Sequence, residues 1–167
     1  MMRHKKHLIL AVASVLIAGR ASAGVLDSPL PDLGGGGKTA LNYAVSGVVN
    51  AAGLATFFSC TNPSSVSVHV SVELFADDGG DPCNTASTVA VTVGPGATAM
   101  FSTQNNVQSS FFSSTPLMSV DMFMAAGSAR VISDGKTLLC SAFVADVYNS
   151  PPMSMMSLSL VSRGKPK

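Results

Sequence analysis

Val66, Val68, Val70, Val72 and Leu74 alternate with Ser67, His69, Ser71 and Glu73. The alternation predicts a strand with one face in a core and the other, His69 and Glu73 included, in water. The run T-L-L-C-S-A-F-V-A-D-V-Y at 137–148 is patterned differently: it has apolar groups at both parities, no Gly or Pro, and Asp146 as its only charge. It predicts a central strand covered on both faces, with Cys140 on the side of Leu138, Ala142 and Val144.

Shorter runs divide the rest. Residues 43–49 and 54–60 predict two strands around Asn50-Ala51-Ala52-Gly53, a spacing that suits a hairpin or a bent strand. The turn T-N-P-S-S at 61–65 follows, where Pro63 disfavours helix at Asn62. After D-D-G-G-D-P at 77–82, residues 87–93 place Val89, Val91 and Val93 on one side. Gly94-Pro95-Gly96 then turns the chain into residues 97–103, with Ala99 and Phe101 inward, which predicts an antiparallel pair. Residues 104–116 predict a long loop that tucks Phe111 or Phe112 against the sheet, and 117–124 fits a strand or a short helix. Residues 128–133 predict a strand, Asp134-Gly135 a hairpin turn, and residues 153–161 a last strand after N-S-P-P. The expected fold is all-β, an antiparallel β-sandwich of immunoglobulin-like type, with a small closed β-barrel as the alternative. A composition rich in Val, Ser, Thr, Ala and Gly and poor in Lys and Glu agrees with it.

The first residues change the picture of where the chain works. Arg3, His4, Lys5, Lys6 and His7 precede an apolar run at 8–18 and the small residues Ala21-Ser22-Ala23, the order of a secretory signal peptide cleaved after Ala23. The run is too short to span a bilayer, so a secreted or periplasmic protein without a membrane span is expected. Arg3, Lys5, Lys6 and Arg20 lie in that segment, so six of the ten Lys and Arg remain against all nine Asp and Glu, and the net charge moves from +1 to −3. With no basic cluster beyond the short tail at 164–167, nucleic acid is not an expected partner. Residues 24–38, G-V-L-D-S-P-L-P-D-L-G-G-G-G-K, read as a flexible leader, with Leu26, Leu30 and Leu33 spaced for a docking role. Residues 39–163 then form a single domain.

Three cysteines in an exported chain predict one disulfide and one free thiol. Cys60 and Cys140 lie in apolar strands and Cys83 in the loop D-P-C-N-T. Chain entropy alone separates a Cys60–Cys140 bridge from a Cys60–Cys83 bridge by only about 1 kcal/mol, which does not decide. Position favours Cys60–Cys140 as an inter-sheet link of the immunoglobulin kind, though no Trp is present to pack on it; Cys60–Cys83 stays open. Cys83 is then the free thiol, expected to react and to form a minor disulfide-linked dimer.

The segments F-F-S-C-T-N at 57–62 and L-L-C-S-A-F-V-A-D at 138–146, followed by S-P-P-M-S-M-M-S-L at 150–158, resemble those of small exported bacterial proteins of uncharacterised function. The resemblance covers most of residues 45–161. It implies export, a single β domain and the pairing of Cys60 with Cys140, and it implies no activity.

Candidate chemistry is sparse. After cleavage His69 is the only histidine, and no G-x-S-x-G, H-E-x-x-H or phosphate-binding loop occurs. Asp77, Asp78 and Asp81 with Asn84 offer oxygen ligands to Ca²⁺ without the spacing of an EF-hand loop. Met153, Met155 and Met156, with Met118, Met122 and Met124, offer thioethers to Cu(I), or else fill a core. The expected protein is therefore non-enzymatic and free of cofactors. Its role is structural, adhesive or partner-binding, with the loops 77–86 and 104–116 offered to a protein or glycan. A periplasmic small-ligand or Cu(I) carrier is the alternative.

Overall fold

The computed structural model describes residues 24–104, 123–135 and 137–162. The signal-peptide segment, the ring pair Phe111 and Phe112, Met118, Met122 and the basic tail lie outside them.

Among the described residues, nine strands make an open, wholly antiparallel arrangement rather than a closed barrel. They are β1 (Ala40–Ala51), β2 (Leu54–Thr61), β3 (Val68–Phe75), β4 (Val91–Val93), β5 (Thr98–Ser102), β6 (Met124–Ser133), β7 (Leu139–Asp146), β8 (Met155–Leu158) and β9 (Leu160–Ser162). One layer runs β4-β3-β6-β1, with β9 along the first half of β1. The other runs β5-β2-β7-β8. The two are joined where β1 and β2 pair through Asn50↔Ala55 and Ala51↔Leu54. Ala52 and Gly53 both have positive φ there, the conformation of a two-residue primed turn. Register shifts along β1 bend it toward this corner, and Gly47, at φ 78°, moves the inward parity from Val45 to Val48.

Alternation builds the core. Val68, Val70, Val72 and Leu74 of β3 and Ala129 and Val131 of β6 face Phe58 and Cys60 of β2, Ala99 and Phe101 of β5 and Ala142 of β7. The Tyr43 hydroxyl donates to Leu138 O across 2.6 Å and ties β1 to the start of β7. The even side of β7 is buried as expected at Leu138, Ala142 and Val144. Its other side is only partly covered: Phe143 stacks on Phe57 at 5.3 Å and Ala145 is buried, whereas Leu139 is exposed.

Several predicted hairpins are crossings between layers. Gly94-Pro95-Gly96 joins β4, paired to β3, with β5, paired to β2, so those strands are not an antiparallel pair. Asp134-Gly135 leads from β6 in one layer toward β7 in the other. The predicted last strand breaks at Ser159 into β8 on β7 and β9 on β1. The reason lies in side chains that capture the turns. Asn62, fully buried, donates through Nδ2 to Val66 O and Val93 O. Its Oδ1 accepts from the Ser64 N–H and hydroxyl, and its backbone bonds Ala97 O and Gly96 N. The turn is thereby pinned to both layers. Asn62→Ala is expected to lower stability by about 2–4 kcal/mol, because the buried Val93 carbonyl loses its donor and the turn loses the acceptor that holds Ser64. The shift in urea midpoint at unchanged slope measures it.

The outer face of β3 and β6 is not in water. Ser71 and Glu73 are buried, which corrects the expected solvent face. Residues 24–33 and the 3₁₀ turn Ala86–Thr88 lie over it: Ser71 Oγ donates to Ala86 O at 2.7 Å, and Leu33 packs with Ile132 and Ala86. Beneath residues 24–33 the buried Arg130 pairs with Glu73 and sits 5.4 Å from the Phe75 ring centre. Its Nη1 donates to Val25 O and Ser28 O and its Nη2 to Pro29 O. The leader is a docked arm, not a free tether. A row of carbonyls that a Pro-containing segment cannot place in a ladder finds its donors in one guanidinium.

Candidate functional site

Asp146, the lone charge of its strand, ends β7 and organises the loop after it. Its Oδ1 accepts from the backbone N–H of Tyr148 at 3.2 Å and Asn149 at 3.0 Å, and from Asn149 Nδ2 at 2.8 Å. Its Oδ2 accepts from Met153 N at 2.6 Å and Ser154 N at 3.3 Å. A carboxylate that collects donors from both ends of a loop holds that loop in one shape. The β1–β2 corner supports it from below. Val147 N donates to Gly53 O, and the Tyr148 ring lies so close on Gly53 that a Cβ there would come within 2.1 Å of it.

Large apolar side chains stand on this frame. Tyr148 is 75% exposed, Met153 84%, Met155 57% and Met156 60%. Their exposure rejects the reading of these methionines as core filler, a part that Met124 at the start of β6 does play. Met155 lies opposite Ala145 and Met156 opposite Val144, so the alternation of β8 sends the two thioethers to opposite faces. The three methionines therefore do not converge on one ion.

Desolvation, the largest single influence, pushes the Asp146 carboxyl up, but the hydrogen bonds from Asn149, Met153 and Ser154 together outweigh it and hold it below its ordinary value. A carboxyl lowered by folding adds stability that is present above the unfolded-state pKa, about 3.9, and lost as pH falls through the lower folded value. The Met153 amide resonance is expected to titrate with a midpoint below that of a free aspartate. In Asp146→Asn the titration should vanish.

The other predicted residues are dispersed. His69 is half-buried: its backbone N–H donates to Asp134 Oδ1 at 2.7 Å and its ring Nδ1 lies 2.9 Å from Asp134 Oδ2. Gly35 of the arm caps the pair, since a Cβ there would come within 2.1 Å of Asp134 Oδ2. This replaces the exposed strand histidine expected from alternation. No hydroxyl is hydrogen-bonded to the ring among the described residues. A cavity of about 400 Å³ lies beside Asp134, lined also by Ser64, Ser67 and Thr137.

Asn84 does not face a cation with Asp77, Asp78 and Asp81. Its Oδ1 accepts from Leu74 N at 2.8 Å and its Nδ2 donates to Val72 O at 2.9 Å, so the side chain extends the edge of β3. No group of three or more His, Cys, Asp or Glu is placed to hold a metal among the described residues. Cys60 and Cys140 are bridged and Cys83 is a free thiol. Cys83 is partly buried against the core; burial pushes its pKa up, as does Asp78, against a hydrogen bond from the Ala76 backbone.

Tyr148 and the clasp at Asp146 escaped the sequence reading, which placed both inside one continuous strand. The signal was the sequence D-V-Y-N-S-P-P itself, an Asp followed three residues later by Asn and then by two prolines. The chain matches no protein-family model, no curated protein and no solved structure.

Proposed function

We propose that the protein is exported and acts as a non-enzymatic binding module, recognising a protein partner through the loop at 147–154 and the adjoining β8. The observation that carries this reading is the exposure of Tyr148 and Met153 on a loop clamped by Asp146, with Met155 exposed at the start of β8 beside it. Large apolar groups held in water on a rigid frame cost hydration and lose little entropy when a partner covers them. Thioethers adapt to irregular apolar surfaces, which suits a protein partner better than a glycan. Export is supported by the basic and apolar leader pattern and by the Cys60–Cys140 bridge, which persists in an oxidising compartment. No helix among the described residues is long and apolar enough to cross a membrane.

The test compares the protein with a triple variant, Tyr148→Ser, Met153→Ser and Met155→Ser, each immobilised and exposed to the exported proteins of its source. A defined protein that the unmodified chain retains and the triple variant loses supports the reading. Equal capture by both overturns it, as does turnover of an ester or glycoside by the purified chain. High-affinity Cu(I) binding that disappears in Met153→Ser with Met155→Ser would support the carrier in its place.

A further inference from the structure

We propose that the outer face of β3 and β6 is a binding site for a proline-containing peptide that begins in a turn, and that besides its own arm it takes residues 24–33 of a second copy of this chain. The site is built. Arg130 is wholly buried at its centre, held by Glu73 and lying against Phe75, and it spends three of its remaining four donors on main-chain carbonyls, those of Val25, Ser28 and Pro29. Leu33 fills an apolar slot with Ile132 and Ala86, and Leu30 packs beside it. The occupant is bound as a ligand is bound. Its backbone N–H groups bond within the arm, Asp27 N and Ser28 N to Gly24 O, and form no ladder with the sheet beneath. Side chains that grip carbonyls of a Pro-containing segment beside an aromatic ring are a mode of peptide recognition, in which the peptide need not be part of the receptor's own chain.

What joins the arm to the sandwich makes the exchange possible. The glycines at 34–37 separate Leu33 from β1, with Gly34 at φ 82° and Gly36 at φ 70°. A chain of this kind can reach its own groove or extend away from it, giving up in its own copy only the packing of Gly35 and Gly37 on His69 and Asp134. Every contact made in the groove is the same whichever copy supplies the arm. The two arrangements then differ by the entropy of association and the relaxation of the hinge, so the second is favoured as concentration rises. A second copy carries the one segment whose fit to this groove is already shown.

Cross-linking tests the exchange in the full chain with Cys83→Ser as background. Leu33→Cys and Ile132→Cys are placed on separate chains, mixed at high concentration and oxidised. A linked species of twice the mass, absent from either variant alone and suppressed by excess synthetic peptide of residues 24–33 but not by a scrambled peptide, is the expected result. Both cysteines on one chain report whether the pair can link at all, and there a cross-link within the chain is expected. A second readout needs no cysteine: the unmodified chain, refolded at high concentration, should sediment with a dimer fraction that the same peptide dissolves. A chain that cross-links only to itself, or that remains a monomer throughout, overturns the proposal.

Discussion

Replacing Arg130 with alanine is expected to lower stability by about 3–5 kcal/mol, the cost of leaving a buried charge without its partner. Glu73 would remain in an environment where its side chain is 5% exposed, and the carbonyls of Val25, Ser28 and Pro29 would lose their donors together. Urea denaturation followed by an optical signal gives the size of the loss. A paired replacement separates its two causes. Arg130→Met with Glu73→Leu removes both charges and fills the space with apolar atoms, so most of the stability should return. The arm should not return with it, because its carbonyls still lack a donor. Trypsin cleavage after Lys38 is therefore expected to be fast in both variants and slow in the unmodified chain. A paired variant as unstable as Arg130→Ala would show that the unpaired charge was not the cause.

The same residues explain what could be read from the sequence and what could not. Alternation from Val68 to Leu74 identified β3 and its core face, since half-buried strands leave that trace whatever surrounds them, whereas Val66, expected on the same face, lies before the strand and is exposed. It misplaced Ser71 and Glu73, because a period of two says which residues share a face and not what lies over it. The arm that covers them carries little apolar surface of its own beyond Leu30 and Leu33 and is held chiefly by Arg130. A lone Arg in S-A-R-V-I-S and a lone Glu in V-S-V-E-L-F were the available signals, two opposite charges in separate apolar strands. Turn residues were legible as turns but not by destination. Gly94-Pro95-Gly96 and Asp134-Gly135 suit tight hairpins locally, yet Asn62 ties the first turn to Val93 in one layer and Ala97 in the other, and Asp134 spends its side chain on His69 of the neighbouring strand β3 instead of closing a hairpin. The loop at 147–154 was hidden for a related reason. The apolar run 137–148 continues through Val147 and Tyr148, while the carboxylate of Asp146 ends the strand by collecting the amides that follow.

Removing the bridge by Cys60→Ala with Cys140→Ala is expected to cost up to about 4.5 kcal/mol on the chain-entropy account, for a sequence separation of 80 residues. The bridge does not span the two layers in the immunoglobulin manner. Cys60 and Cys140 are register partners on the neighbouring strands β2 and β7, with Cα atoms 4.2 Å apart, the close approach of a non-hydrogen-bonded antiparallel pair. It therefore locks the register of the strands that carry Phe57, Phe58 and Phe143, and its loss leaves that register to packing alone. Unreduced peptide mapping should find Cys60 linked to Cys140. A linked Cys60–Cys83 peptide would overturn the pairing. Cys83 was expected to react freely and to join chains, but its packing against the core and its raised pKa leave little thiolate at neutral pH. Its alkylation in the native protein should be slower than that of a free cysteine, accelerate as pH rises, and become fast in urea. A native rate equal to the denatured rate would place the thiol in open solvent and restore the disulfide-linked dimer as a competing route between chains.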